Sequence, residues 1–304
     1  MKKLIIAAGT GFLGKALINY YKNSVDELII LTRSKHEDQG NVKYLVWDAH
    51  SVGTWASALN GADVLINLAG KSVDCRYNEK NRKEILASRI ESTRVLAEAI
   101  KLTALPPPVW INSASATIYI HSESRPMDEF TGETGNDFSM TICKEWERTF
   151  FEGEMPDTRR IALRIGLVLG NNGGVFTKLK QLIKMGLGGT IGNGKQMVNW
   201  VYEKDFLRMV DWAIRNRNCK GAYNCVSPKP LPNKEFMRTL RKKLNVTVAF
   251  PTPAPLLSVG AFFIGTEPEL VLKSRFVIPK KATDEGFVFE YAELNTALDD
   301  MLKS

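Results

Sequence analysis

The chain has 304 residues, 44% of them hydrophobic, so it can bury one large core or two smaller ones, and a disordered or peptide-like chain is excluded. Its 41 lysines and arginines against 33 acidic residues give a net charge of +8, which a solubilising surface, nucleic-acid binding or the phosphates of an anionic cofactor could explain. Its 4 cysteines form no CxxC pair and it has 3 histidines, which disfavours a metal site and a Ser-His-Asp triad.

The first elements in the chain form a strand, a glycine turn, a helix and a second strand. Leu4 to Ala8 is a short apolar run, typical of a strand that is buried on both faces. Apolar residues between Phe12 and Tyr20 recur at helical spacing, and Glu27 to Leu31 is a second apolar run. Because Gly9 and Gly11 interrupt the N-terminal apolar segment, we expect neither a signal peptide nor a membrane helix, but a cytoplasmic protein with reduced thiols.

The same alternation of strands and helices continues to about residue 226. Helical patterns are predicted from Ile85 to Ile100 and from Ile142 to Phe151, with prolines at 106–108 ending the first. The predicted strands are Val42–Val46, Ala62–Leu68, Val109–Ser113, Arg160–Leu169, Trp200–Tyr202 and Ala222–Val226. This order predicts an α/β fold with a doubly wound parallel sheet of the Rossmann type.

The chain changes character after this sheet pattern. Residues 170–195 are rich in glycine and predict a loop-rich excursion around one helix, and prolines punctuate the chain beyond Ser227. We therefore predict a dinucleotide-binding Rossmann domain over residues 1–226, including that excursion. Residues 227–304 are predicted to form a smaller C-terminal lobe on the substrate side.

A GxGxxG motif follows the first predicted strand and opens the first predicted helix. In Gly9-Thr10-Gly11-Phe12-Leu13-Gly14, the first glycine permits a tight turn and the second lets the backbone approach a pyrophosphate. The third glycine packs the helix against the strand, and the helix N-terminus offers free N–H groups to phosphates. A glycine turn without a ligand is the alternative.

The end of the second strand favours NADP(H) over NAD(H). An NAD-binding chain carries Asp or Glu there, whereas this chain has Thr32 and Arg33, and Arg33 can bind a 2′-phosphate while Thr32 or Ser34 adds a hydroxyl. The alternative is that Arg33 is an ordinary surface arginine. Asp48, after the third strand, contacts adenine or caps the next segment, and Leu68, Ala69 and Gly70 let a cofactor lie close to backbone or simply end the fourth strand.

These motifs together resemble the extended short-chain dehydrogenase/reductase superfamily. The resemblance is carried by GTGFLG at 9–14, NLAG at 67–70, Ser88-Arg89, SASA at 113–116, RIGLVLG at 164–170, and WVY at 200–202 with Asp205. Tail segments such as Pro251-Thr-Pro253, Leu270–Ser274, VIP at 277–279 and GFVF at 286–289 resemble the atypical branch of epimerase family proteins, some of which are described as nucleoside-diphosphate-sugar epimerases.

The resemblance implies a Tyr-x-x-x-Lys pair that this chain lacks. In that superfamily tyrosine is the acid/base, and lysine lowers its pKa and holds the nicotinamide ribose. Alignment on Glu147 puts Ser139 at the tyrosine position and Cys143 at the lysine position, with Lys144 about 100° around the helix. The same resemblance places a catalytic serine at Ser113 or Ser115.

Tyr119, just beyond that strand, is the candidate substitute for the missing acid/base, and a packing role is its alternative. Cys143 has no adjacent histidine, which favours an inert thiol. The resemblance also implies cofactor contacts for Glu84, Arg89 and Arg164. Because Arg164 lies inside an apolar strand, it needs an anion or a carboxylate, and Glu84 is the candidate for an internal ion pair.

Two functions follow from this sequence. The first is an NADP(H)-binding oxidoreductase or epimerase that acts on an unidentified small molecule, such as a nucleotide sugar, as a monomer or homodimer. The second is a non-catalytic NADP(H)-sensing regulatory protein, which the missing Tyr/Lys pair favours. No helix-turn-helix and no aromatic-basic platform is present in the sequence, so we expect no nucleic-acid partner.

Overall fold

The computed structural model describes residues 1–250 and 269–303. Its strands are β1 (Lys3–Ala7), β2 (Glu27–Thr32), β3 (Val42–Val46), β4 (Val64–Asn67), β5 (Val109–Ser115), β6 (Arg159–Ile165), β7 (Leu167–Leu169), β8 (Met197–Val198), β9 (Trp200–Tyr202), β10 (Gly221–Cys225) and β11 (Leu231–Pro232). Its helices are α1 (Phe12–Tyr21), α2 (Glu79–Lys101), α3 (Phe138–Phe151), α4 (Gly174–Lys184), α5 (Glu203–Arg215), α6 (Asn233–Lys243), α7 (Glu269–Leu272), α8 (Lys280–Asp284) and α9 (Leu294–Lys303).

Seven of these strands form one parallel sheet in the order β10-β6-β5-β4-β1-β2-β3. Strand β1 lies between β2 and β4, so the chain changes direction across the sheet at the carboxyl end of β1. In an open parallel sheet that crossover leaves a crevice, which is where ligands bind. The predicted doubly wound Rossmann fold is confirmed.

Hydrophobic residues cover both faces of this sheet. Leu4 and Ile6 of β1 pack into one buried cluster with Leu17 of α1, whereas Ile5 packs into a second cluster with Leu96 of α2. Successive side chains of a strand point to opposite faces, so an unbroken apolar run supplies both cores. This explains why the β1 run reads as continuous rather than alternating.

The predicted strand from Arg160 to Leu169 is wrong as a single element. The chain leaves the large sheet at Gly166, and β7 pairs instead with β9 in a separate two-stranded sheet. A Cβ at Gly166 would lie 2.7 Å from the carbonyl oxygen of Asn199, so only glycine permits this close crossing. The break aims β7 away from the large sheet toward a second core.

That second core is formed by residues from both sides of position 226. Phe176 of α4, Trp200 of β9, Phe236 of α6 and Leu298 of α9 are all buried in one cluster. Helix α4 lies inside the 170–195 excursion, as predicted. The domain boundary at 226 stays a prediction, and the Pro251-Thr-Pro253 segment lies outside the described residues. Within the described part of the chain, no helix has the length and hydropathy to cross a membrane.

Candidate cofactor site and active site

The glycine loop connects β1 to α1 at the carboxyl end of the sheet. A Cβ at Gly14 would lie 2.1 Å from the carbonyl oxygen of Gly9, so the first turn of α1 packs directly on the loop backbone. A Cβ at Gly11, in contrast, would meet no atom of the described residues within 4 Å. The loop is therefore closed on its protein side and open on its outer side, where a pyrophosphate can approach.

Helix α1 begins without a cap. Gly11 stands at its N-cap position and offers no side-chain hydrogen bond, and no acidic residue lies in the first turn. The first N–H groups of a helix have no acceptor inside the helix, and they add to a partial positive charge. Phe12 does not fill this space, because its ring packs against Gly173 and Gly174 of the excursion. The N-terminus of α1 is thus an available anion site.

The ends of β2 and β3 flank a surface pocket of about 440 Å³. Exposed Arg33 lines it, together with Val46, Trp47, Asp48, Ser51, Gly53, Thr54 and Trp55. Thr32 is buried, and its hydroxyl accepts a hydrogen bond from the Ser34 N–H at 3.4 Å, so it faces the protein. The arginine and the two tryptophans give the pocket a cation and aromatic surface, which suits an adenosine phosphate.

Asp48 has the capping role rather than the adenine role. Its carboxylate accepts hydrogen bonds from the N–H groups of His50 and Ser51 at 2.8 and 2.9 Å and from the Ser51 hydroxyl. These bonds hold the pKa of the Asp48 carboxyl well below its ordinary value, chiefly through the Ser51 hydroxyl. This geometry favours the capping role of Asp48 over the adenine contact.

The NLAG turn ends β4 against the same crevice. The side chain of buried Asn67 accepts a hydrogen bond from the Ala69 N–H at 3.0 Å and donates one to Asn112 at 2.7 Å. These bonds fix the backbone of Leu68 and Ala69 as it leaves the sheet. A Cβ at Gly70 would lie 3.2 Å from the guanidinium carbon of Arg89, so Arg89 lies directly against this turn.

Glu84 pairs with a lysine, and the predicted ion pair between Glu84 and Arg164 is wrong. Lys71, in the loop before α2, forms an ion pair and a hydrogen bond with the Glu84 carboxylate. The hydrogen bond from Lys71 lowers the pKa of Glu84. The Glu84 carboxylate therefore holds the loop between β4 and α2 beside Gly70. Within α2, Glu84 lies more than one helical turn before Arg89.

Arg164 lies in a buried network with Tyr119. Its guanidinium makes two 2.8 Å hydrogen bonds to the carboxylate of Glu147 and a third, of 2.5 Å, to the Tyr119 hydroxyl. The Tyr119 hydroxyl donates in turn to Asn224 at 3.0 Å. Glu147 neutralises the guanidinium, which favours the alternative of an internal ion pair, and a contact between Arg164 and a cofactor stays a prediction.

Tyr119 is enclosed by protein in this structure. Tyr119 is 1% exposed, and burial raises the pKa of its phenol to about 12, against the lowering effect of Arg164. Both hydrogen-bonding directions of its hydroxyl are occupied by protein groups. This geometry favours the packing alternative, and an acid/base role for Tyr119 stays a prediction.

The remaining candidates lie together at the end of β5 and on the adjoining face of α3. Ser113 and Ser115 are two residues apart on the same face of β5, and both are partly exposed. Ser115 forms a hydrogen bond with the thiol of Cys143. Burial raises the pKa of that thiol to about 12, so it is an unreactive thiol near neutral pH.

Ser139 lies one helical turn before Cys143 and therefore on the same face of α3. Its hydroxyl is buried and has no hydrogen-bond partner among the described residues. An unsatisfied buried hydroxyl costs free energy unless something supplies its partner. The structure thus brings Ser113, Ser115, Ser139, Cys143 and Arg89 to one end of the sheet. Tyr119 and Arg164 lie instead in the buried network with Glu147.

A carboxylate that the sequence did not single out lies near the glycine loop. Glu203 begins α5, and its Oε2 atom is buried without a hydrogen-bond partner in the described chain. A Cβ at Gly170 would lie 2.2 Å from that atom and 2.8 Å from the ring of Phe12. Burial raises the pKa of Glu203 above its ordinary value of 4.5. No local pattern marks this residue, because Gly170, which lies against its carboxylate, is distant in sequence.

Glu203→Gln is expected to stabilise the protein near neutral pH. A raised pKa means that the folded state binds a proton more tightly than the unfolded state, so stability falls as pH rises from the ordinary value of 4.5. The amide removes this cost, and the melting temperature should increase by about 1 to 3 °C at pH 7. Melting curves at pH 4 and pH 7 test this, with exposed Glu154→Gln as control. A destabilised variant at pH 7 contradicts it.

Comparison with known proteins identifies the family. The model of the "NAD dependent epimerase/dehydratase family" matches residues 4–225. The chain belongs to this family. Residues 252–301 match a second model, "Domain of unknown function (DUF1731)". The epimerase family proteins SA0724 of Staphylococcus aureus and YfhF of Bacillus subtilis are each 30% identical to this chain, covering 100% and 98% of it and 100% and 97% of their own lengths.

Solved structures of family relatives share the fold over nearly the whole chain. A human epimerase family protein, SDR39U1 with NADPH, matches with a TM-score of 0.89 and 28% identity, covering 99% of each chain. A nucleoside-diphosphate sugar epimerase from Corynebacterium glutamicum matches with a TM-score of 0.78 and 25% identity, covering 99% of this chain and 58% of its own. The family and its NAD(P)-binding fold, both expected from the motifs, are therefore confirmed.

Proposed function

We propose that this chain binds NADP(H) in the crevice at the carboxyl ends of β1, β2 and β4. The observation that carries the proposal is the geometry of the glycine loop. Only glycine at position 14 lets α1 pack on the loop backbone, and the space outside Gly11 is open among the described residues. The uncapped first turn of α1 supports a pyrophosphate site at the same point. The human relative, whose structure includes NADPH, supports the same cofactor class.

The residues present fit this cofactor along the whole crevice. Backbone groups of the glycine loop (Gly9, Thr10, Gly11, Phe12, Leu13 and Gly14) would hold the pyrophosphate. Arg33 would bind the 2′-phosphate, with Thr32 buried behind it as support for the strand end. The backbone of Leu68, Ala69 and Gly70 would lie along the nicotinamide ribose, and Arg89 would approach it from behind Gly70. Glu84 would act indirectly, through Lys71.

Arg33→Asp is expected to remove the preference for NADPH. The guanidinium can pair with a 2′-phosphate, whereas a carboxylate repels that phosphate and accepts hydrogen bonds from a ribose 2′-hydroxyl. The Kd for NADPH should rise at least about tenfold, corresponding to about 1.4 kcal/mol, while the Kd for NADH stays equal or falls. Fluorescence titration with both cofactors measures this. Exposed Arg217→Asp is the matched control, and an unchanged ratio of the two Kd values contradicts the role of Arg33.

The reaction that best suits this site is hydride transfer to or from a small molecule. Bound NADP(H) supplies the hydride chemistry. The hydroxyls of Ser113 and Ser115, at the end of β5, are placed to donate hydrogen bonds to a substrate oxygen in the crevice. A reductase or an epimerase that acts on a small molecule such as a nucleotide sugar fits these groups, and the family name supports the epimerase.

A second function, NADP(H) sensing without catalysis, is favoured by one specific observation. Tyr119, which follows the candidate serines in the chain, is buried and its hydroxyl is hydrogen-bonded to Arg164 and Asn224. The positions that align with the usual tyrosine and lysine hold Ser139 and Cys143. Incubation of the protein and NADPH with a fractionated small-molecule extract distinguishes the two functions. Oxidation of more than one NADPH per protein chain supports catalysis if a Ser113→Ala/Ser115→Ala variant loses it. Tight NADPH binding without turnover in any fraction supports sensing.

A further inference from the structure

Two arginines lie near Cys143 on the buried face of α3. Arg89 reaches it from α2, and its guanidinium lies 5.1 Å from the ring centre of Trp146. Trp146 is three residues after Cys143, so the two side chains are neighbours on one face of the helix. Arg275 reaches the same face from the C-terminal segment between α7 and α8. Arg275 has no role in the proposed cofactor site, and Arg89 lies at the nicotinamide end of that site, next to Gly70.

The position of Arg275 follows from the path of its segment. The Arg275 N–H donates to the Met197 carbonyl at 3.0 Å. The Met127 N–H donates to the carbonyl of Phe276, the next residue in the segment, at 2.7 Å. Val277 forms a β-bridge with Met127 and packs in the buried cluster that contains Cys143. Residues two apart in an extended segment point to the same side, so Arg275 is directed with Val277 toward α3.

Among the described residues, neither guanidinium group has a carboxylate partner. Arg89 donates from Nη1 to the carbonyls of Lys71 and Ile85 at 3.0 and 2.9 Å, which leaves its Nε and Nη2 donors without acceptors in the described chain. Arg275 is 8% exposed, and its one side-chain hydrogen bond is a 3.4 Å contact to the neighbouring Ser274 carbonyl. Among the described residues, no acidic oxygen lies within 4.0 Å of either group.

The nearby carboxylates of residues 1–250 and 269–303 do not neutralise the two arginines. Asp137 and Glu269 are the carboxylates that act on Arg275, and both form ion pairs with Lys273. Glu147, which also faces Cys143, is occupied by Arg164. The positive charges near this face, on Lys273, Arg275 and Arg89, therefore number three, and the two carboxylates of Asp137 and Glu269 leave one of them unbalanced. A buried cation without a partner is costly, and an oxyanion that enters between the two arginines removes that cost.

We propose that Arg275 and Arg89 bind an oxyanion of the substrate, a carboxylate or a phosphate, over Ser139 and Cys143. The buried hydroxyl of Ser139, which has no partner in the described chain, donates the third hydrogen bond to that anion. The inference rests on the proposed cofactor site, because it places the anion beside the nicotinamide end of the crevice, next to Gly70. It defines the substrate as an acid or a phosphate ester and assigns the C-terminal segment a direct part in recognition.

Calorimetric titration of the NADPH-saturated protein with sodium phosphate, and separately with sodium acetate, tests this at constant ionic strength. We expect one of the two anions to bind with a Kd of about 1 to 10 mM, and which one binds identifies the phosphate or the carboxylate. Arg275→Gln should weaken that binding at least about tenfold and leave the Kd for NADPH unchanged. Exposed Arg238→Gln is the control for loss of one positive charge.

Ser139→Ala is the second variant, because it removes a hydroxyl that bonds to no described residue and should leave folding intact. A severalfold loss of anion affinity in Ser139→Ala supports the site. If the wild type binds NADPH but takes up neither anion, or if Arg275→Gln and Ser139→Ala bind the anion as the wild type does, the anion site is wrong and the cofactor site stands. Failure of NADPH itself to bind overturns the proposed function instead.

Discussion

Gly14→Ala is expected to abolish NADPH binding and to lower the free energy of unfolding by about 2 to 4 kcal/mol. The added Cβ would lie 2.1 Å from the carbonyl oxygen of Gly9 and 2.3 Å from its carbonyl carbon. Both atoms belong to backbone, so relief requires α1 to move away from β1. That movement displaces the N–H groups that would bind the pyrophosphate. Urea unfolding and NADPH titration of the same preparation measure the two effects.

Gly11→Ala is the matched control for that result. Its Cβ would meet no described atom within 4 Å, so the free energy of unfolding should stay within about 1 kcal/mol of the wild type. Because the same Cβ would stand in the path of the pyrophosphate, NADPH affinity should still fall. Retained NADPH affinity in Gly14→Ala would contradict the assignment of the loop to the cofactor. A severe loss of stability in Gly11→Ala would contradict the open geometry on its outer side.

Glu147→Gln is expected to lower the free energy of unfolding by about 3 to 5 kcal/mol. The Arg164 side chain is 13% exposed and its two 2.8 Å bonds to Glu147 are the contacts that neutralise it. Removing the carboxylate leaves a buried, uncompensated guanidinium next to Tyr119. Chemical denaturation measures the loss. NADPH affinity, taken under native conditions, should change little because this network lies behind the crevice.

Glu145→Gln provides the control on the same helix. Glu145 pairs with Arg148, but the two side chains are 40% and 62% exposed, and exposed pairs contribute about 0 to 1 kcal/mol. The double variant Glu147→Leu/Arg164→Met should recover part of the stability, because apolar side chains of similar volume can replace a buried ion pair. Equal stability of Glu147→Gln and Glu145→Gln would show that the Arg164 pair is not a stabilising element.

The sheet and the glycine loop were predictable because their signals are local. The apolar run from Leu4, the glycines at 9, 11 and 14, and the helical spacing after Phe12 all lie within one βαβ unit. Each signal depends on backbone geometry that neighbouring residues determine. The order of the seven parallel strands follows from this repeated unit and from the rule that its crossovers share one hand.

The side chains of the site were less predictable because their partners are distant in sequence. Tyr119 is buried by Asn224, 105 positions away, and by Arg164 on another strand. Neither contact leaves a pattern near Tyr119 in the sequence. In the same way, the cost of burying Arg164 was predictable, but its partner was not, since Glu147 and Glu84 are both helical glutamates that could reach a strand.

Two further features had weak signals that could have been used. Gly166 inside an apolar run is a common mark of a strand break, and the structure ends β6 there. Arg275 stands next to the apolar residues Phe276, Val277 and Ile278, and a charge beside such a run indicates a specific contact. Its proximity to α3 required the path of the chain between α7 and α8, which composition and periodicity do not determine.

The proposed function requires that the crevice bind NADP(H) and distinguish it from NAD(H). Calorimetric titration of the wild-type protein with NADPH and with NADH, under identical conditions, tests this most directly. We predict one site per chain and a Kd for NADPH that is at least about tenfold lower than that for NADH, a difference of about 1.4 kcal/mol. Equal affinity for the two cofactors, or binding of neither, would contradict it.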